Sequence, residues 1–171
     1  MIAILLNDAS FEQDIRELLM AFYPGETFTH KEEEAGEAEL IVRGVRDGNS
    51  FSLDVTPVKK EAVHFALIYP DFSNRFETKN EIKQTLYRLL SVQTGRELPW
   101  GTLTGIRPTK IALTKLYDGW TDEQIETYMR ETYFTSKEKI DLSIDVAERE
   151  RRLLSTIDYE NGYSLYVGIP F

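Results

Sequence analysis

The hydrophobic positions change their period along the chain, and the changes divide it. Ile2 to Leu6 is a short continuous apolar run, the pattern of a buried strand. Ser10 with Gln13 then reads as a capping box, and Phe11, Ile15, Leu18 and Phe22 recur at helical spacing until Pro24-Gly25 ends the helix. Lys31 to Glu37 packs like charges too densely to bury much and reads as a solvated loop. Leu40, Val42 and Val45 precede Asp47-Gly48-Asn49, and Phe51, Leu53 and Val55 alternate with polar residues after it, which predicts a β-hairpin turning at Asp47-Gly48. Ala62 to Tyr69 fits either a strand or the entry to a helix, and Pro70 closes it in both cases.

From Thr78 the period is helical. Thr78 with Glu81 reads as a capping box, Ile82, Leu86 and Leu89 share a face, and Gly95 marks the end. A second helix starts near Pro108, whose missing N–H suits a first helical position, and carries Ile111, Ala112, Leu113 and Leu116. A third begins at Thr121 with Gln124 as reciprocal cap, and a fourth at Thr135 with Glu138, running to about Leu154. On that last helix Asp145 with Arg149, and Glu148 with Arg152, are acid-before-base pairs four apart, each worth ~0.2 to 0.5 kcal/mol. After a turn at Asn161-Gly162, Leu165 to Phe171 is again unbroken apolar sequence and reads as a buried strand.

The predicted class is therefore α+β: a β-α-β-β unit with a possible further strand over residues 1–75, a four-helix region over 76–155, and a lead-in and strand over 156–171. A strand as apolar as the last one needs cover, so the expectation is a chain that forms the front piece of a longer protein. Its exposed edge would otherwise recruit another copy.

Composition narrows the function. With 29 acidic residues against 20 Lys and Arg, and a net charge of −9, the chain lacks the cation excess that a nucleic-acid binder uses against phosphates. The charge is uneven: residues 61–117 hold five acids and eight bases between two acidic flanks. There is no cysteine, which removes disulfides, thiol nucleophiles and thiolate-bound zinc or iron-sulfur clusters made from these residues. The start has no basic lead, and no apolar run approaches the ~20 residues that span a bilayer, so the expectation is a cytoplasmic chain without a membrane span.

Candidate chemistry is sparse. Gly101 to Gly105 leads into a helix start with Arg107 and Lys110 and admits two readings. It cradles an anion on backbone N–H groups, or it is a corner plugged by Trp100, Leu103 and Ile106 in which both glycines supply unusual dihedrals. It is not a Walker loop, because the Gly-Lys-Ser/Thr ending is absent. His64 reads as a partly exposed strand or helix residue, His30 as solvated, and Glu32 to Glu34 as a charged face rather than a metal site. No catalytic set and no metal-ligand set is named.

Two passages carry a resemblance. The ending Tyr166-Val167-Gly168-Ile169-Pro170-Phe171 resembles the first barrel strand of radical S-adenosylmethionine proteins of the oxygen-independent coproporphyrinogen III oxidase type. The block from Leu98-Pro99-Trp100-Gly101 to Arg107-Pro108-Thr109-Lys110-Ile111 is similar to the one preceding the barrel in the coproporphyrinogen dehydrogenase branch called HemZ. Residues 1–75 carry no such likeness. The resemblance implies an intact protein that binds S-adenosylmethionine at an iron-sulfur cluster and oxidatively decarboxylates coproporphyrinogen III to protoporphyrinogen IX. Tyr166 would then contact the methionine part of the cofactor. Gly168 stands where the best-known oxidases carry His, which favours the HemZ branch. These 171 residues stop before the cluster cysteines and would bind no cofactor and catalyse nothing alone, while Arg107 and Lys110 would face substrate or the chain's own barrel. Two alternatives stand beside this: an acidic protein-interaction module that works alone, and a haem-chaperone-like relative with the same barrel.

Overall fold

The computed structural model describes residues 1–58, 63–105 and 107–155. The elements run β1 (Ile2–Leu6), α1 (Glu12–Phe22), β2 (Phe28–Thr29), β3 (Leu40–Asp47), β4 (Ser50–Pro57), β5 (His64–Ile68), α2 (Arg75–Thr94), α3 (Thr109–Tyr117), α4 (Asp122–Tyr133) and α5 (Lys137–Leu154), with 3-10 turns at Ala9–Phe11 and Glu32–Glu37. The fold is α+β. The strands form one sheet in the order β2-β1-β3-β4-β5. β1 is parallel to β2 and β3, whereas β3, β4 and β5 are antiparallel neighbours. β2 has only two residues and no legible period, so the sequence pattern misses it.

Register sets the layers. Ile2 pairs with Leu40, Ile4 with Val42, and Val42 with Val55, so alternate side chains meet on one face of the sheet. That face packs against Ile15, Leu18, Leu19 and Phe22 of α1 and against Ile82, Leu86, Tyr87 and Leu90 of α2. Residues from 76 onward thus contribute to the core of the strand-rich half. α3, α4 and α5 build a second core from Leu113, Leu116, Ile125, Met129, Ile140 and Ile144.

Several local expectations shift. The first helix is not capped by Ser10 and Gln13: the Asp8 carboxylate accepts from Ser10 N at 2.9 Å, capping the 3-10 turn ahead of α1. Gln13 Nε2 instead donates to Glu17 Oε1. The acidic stretch is not a plain loop, because its 3-10 turn buries Ala35 beside Ala3, Leu5 and Ala38 on the sheet's second face. The charges point outward around one small apolar contact.

The hairpin turns on Gly48-Asn49, one residue later than expected, since Asp47 pairs with Ser50 and Gly48 has φ +56°. The segment before Pro70 is strand β5. α2 is capped four residues earlier than expected, by Asn74 rather than Thr78: Asn74 accepts from Glu77 N, and Thr78 Oγ1 donates to Asp71 O. α5 is preceded by Ser136 rather than Thr135, and no side chain caps it. The Thr121 and Gln124 box, the Gly95 C-cap and both ion pairs on α5 form as read. Among the described residues no helix is long and apolar enough to cross a membrane. The expected strand from Leu165 to Phe171 lies outside the described residues.

Candidate functional site

The link from α2 to α3, residues 95–108, holds the block singled out in the sequence. Its first half is stitched to the junction between α4 and α5. Thr102 N donates to Tyr133 O at 2.7 Å, and Ser136 N donates to Pro99 O at 2.9 Å. Gly101 N turns back to Leu98 O and Leu103 N to Trp100 O, while the Tyr87 hydroxyl accepts from Leu98 N at 2.9 Å. Gly101 has φ +57°, and a Cβ there would sit 1.9 Å from Tyr133 O. Glycine is required by contact as well as by conformation. Gly105 differs: its φ is not positive and a Cβ would meet nothing, so only one of the two glycines has an unusual backbone.

The second half is tied to the sheet's helices through a polar chain absent from the sequence reading. Thr104 Oγ1 accepts from Lys83 Nζ at 2.9 Å and donates to Glu17 Oε2 at 2.9 Å. Lys83 is buried, and burial pushes its ammonium below the ordinary lysine range against the pull of Asp14 and Glu17. The only sequence signal was a lysine directly after Ile82 in an amphipathic helix.

Arg107 and Lys110 both lie at the start of α3 and line a groove of about 340 Å³ with Lys115, Tyr128 and Tyr133. Arg107 is exposed and its guanidinium pairs with Glu150 of α5. Lys110 is exposed and closes the first turn, its N–H donating to Arg107 O. Lys115 Nζ lies 4.3 Å from the Trp120 ring centre and 4.9 Å from that of Tyr128. Burial, then the neighbouring Tyr128 hydroxyl, pushes the Tyr133 hydroxyl well above the usual tyrosine range, so it stays a neutral donor. The groove thus has two exposed cations at its rim and aromatic walls, suited to a carboxylate-bearing surface.

The histidines are quieter. His64 sits on β5 with Nε2 2.9 Å from Gln93 Oε1. His30 is not simply solvated: just after β2, its Nδ1 lies 3.2 Å from Ile4 O of β1 and its Nε2 3.3 Å from Glu12 Oε1 of α1. Among the described residues no three His, Asp or Glu converge on a metal-sized site. With no cysteine the chain offers no thiolate for a cluster. Tyr166 and Ile106 lie outside the described residues.

The chain is 32% identical over 120 residues to the oxygen-independent coproporphyrinogen-III oxidase-like protein HemZ of Bacillus subtilis (strain 168), which covers 68% of this chain and 24% of HemZ. The chain therefore spans about a quarter of that relative's length. No family model matches the sequence. No solved structure matches it either.

Proposed function

The chain belongs to the HemZ-like family over the 120 residues it shares with that relative, and from this premise we propose that it is the accessory region of a radical S-adenosylmethionine oxidoreductase acting on coproporphyrinogen III in porphyrin biosynthesis. The observation that carries the reading is that likeness, over 68% of the chain. The cluster and S-adenosylmethionine belong to the remainder of such a protein, since these residues hold no thiolate. They would supply the one-electron chemistry there.

The part left to this chain is positional. The stitched corner fixes where α3 begins, and the groove beside it presents Arg107 and Lys110 to the barrel or to substrate propionates. Arg107 already has Glu150 as partner, so an incoming carboxylate must compete with an exposed ion pair, a contest of about 0 to 1 kcal/mol. That is a weak lock and an exchangeable one.

The test is to express the longer reading frame anaerobically, reconstitute it with iron and sulfide, and supply coproporphyrinogen III with S-adenosylmethionine. Conversion to protoporphyrinogen IX with formation of 5′-deoxyadenosine is expected. A reconstituted cluster that cleaves S-adenosylmethionine but leaves the porphyrinogen untouched would replace this substrate with another. A frame without a cluster would favour a binding module acting alone.

A further inference from the structure

A cavity of about 550 Å³ lies away from the Arg107 groove, between α2 and the junction of α4 with α5. Three features converge on it. The first is the start of α5, which no side chain caps. Ser136 N is taken by Pro99 O, and the N–H groups of Lys139 and Ile140 both turn to Ser136 O. Lys137, which lines the cavity, therefore keeps a first-turn N–H for whatever enters.

The second is a pair of hydroxyls without partners. Thr135 is 2% exposed, and its Oγ1 has no hydrogen-bond partner among the described residues. Ser91 Oγ, from α2, is buried in the same condition, and both residues line this cavity. Two orphaned hydroxyls from separate elements lining one cavity are costly unless an acceptor satisfies them.

The third is Arg88. Its guanidinium lies 4.9 Å from the ring centre of Phe134, and among the described residues no carboxylate pairs with it. Phe134 holds a left-handed backbone, φ +58°, where Gly or Asn is usual, and its ring also meets Tyr87. The cavity thus has an aromatic wall with a free cation upon it.

Charge decides what fits. Arg130 and Lys137 share Glu126, and Lys137 also pairs with Asp141. Glu97, which also lines the cavity, adds one more negative group. What remains uncompensated is the full charge of Arg88 and roughly +0.5 at the helix end, less the share Glu97 cancels. A doubly charged phosphate would be under-neutralised, whereas a single carboxylate would be met.

We propose that this cavity binds a small aromatic or aliphatic carboxylate, its anionic end at the start of α5 and at Arg88, its apolar body on Phe134. The inference goes beyond the family reading and stands if that reading fails, because it uses only this chain. The test titrates 3-phenylpropionate into the 171-residue chain while following backbone amide resonances. Saturable shifts at residues 135–138 are expected, with a Kd of about 1 mM for so small a ligand. The matching alcohol, 3-phenylpropanol, and acetate alone should each bind at least about tenfold more weakly. Arg88→Ala should also weaken the acid about tenfold. Thr135→Val should weaken it severalfold without lowering Tm, since the variant deletes an orphaned group. Four results would overturn the proposal: no saturation by about 20 mM, equal binding of acid and alcohol, tighter binding of phenyl phosphate than of the carboxylate, or a Thr135→Val chain that melts earlier yet binds unchanged.

Discussion

The core beneath the sheet and the core among α3, α4 and α5 differ in kind. The first buries four aromatic rings, Phe11, Phe22, Phe51 and Tyr87, with Phe11 set edge-on to Phe51 at 6.1 Å and Phe22 to Tyr87 at 5.3 Å. The second buries aliphatic side chains, Met129, Ala112 and Ala147, with its rings only partly covered at the margin. Ion pairs crowd the outside of α4 and α5 instead. Exposed pairs add little, so the helical layer leans on the strand-rich half for stability. The seam between them is a short set of contacts: Tyr87 against Phe134 at 5.5 Å, Gln84 Nε2 donating to Thr132 O at 2.7 Å, and Thr104 between Lys83 and Glu17.

The strongest way to break this comparison is to empty each core in turn. Phe51→Ala should cost about 3 to 5 kcal/mol and Ile125→Ala about 2 to 4. Trp120 packs on the helical core and Trp100 lies in the corner, its ring centre 5.9 Å from Lys139 Nζ of α5, so their fluorescence follows that layer while far-ultraviolet circular dichroism follows both. If the seam makes one cooperative unit, Phe51→Ala moves the two transitions together in urea. Separated midpoints would mean that the layers unfold independently.

Next in size is Gly101. Alanine there meets Tyr133 O and keeps a positive φ, so Gly101→Ala should destabilise by about 2 kcal/mol or more, against about zero for Gly105→Ala. Thermal melts of the pair measure it. Equal losses would show that the corner is not pinned to α4 and α5.

Lys83 gives a pH-dependent test. Burial lowers its pKa in the fold below its value in the unfolded chain, so the unfolded state binds more protons between those two values. Stability from this group therefore rises with pH in that window, which lies below the ordinary lysine value of 10.5, and the charged form weighs against folding beneath it. Lys83→Met should be neutral to stabilising at pH 7 by about 1 kcal/mol, since Thr104 keeps Glu17 as partner. Its advantage should shrink as the pH approaches 10. An advantage that grows with pH would contradict the burial argument.

The smallest effect on folding belongs to Arg107. Its side chain is 56% exposed, so Arg107→Ala should change the stability of this chain by less than about 1 kcal/mol. In an enzyme of the proposed function that carries this chain, the same change should reduce turnover or raise KM. A large drop in Tm with turnover intact would make Arg107 a strut for α5 and nothing more.

Local pattern alone determined much of this protein. The period of two in Phe51, Leu53 and Val55, the helical spacing after Thr78, Pro108 at a helix start and Thr121 with Gln124 each fix an element, because each acts over only a few neighbours. The block from Leu98 to Ile111 was also legible, by resemblance, as the most informative stretch. What the tertiary structure decided depends on partners far away in sequence. The Glu150 that meets Arg107, the Glu17 and Lys83 that hold Thr104, and the Tyr133 carbonyl that requires a glycine at 101 are invisible to any local window. So are β2, too short to show a period, and the cavity where Arg88, Ser91 and Thr135 meet. Sequence spacing fixes which face a side chain takes, whereas packing between layers fixes which group stands opposite it, and the chemistry of this chain lies in those oppositions.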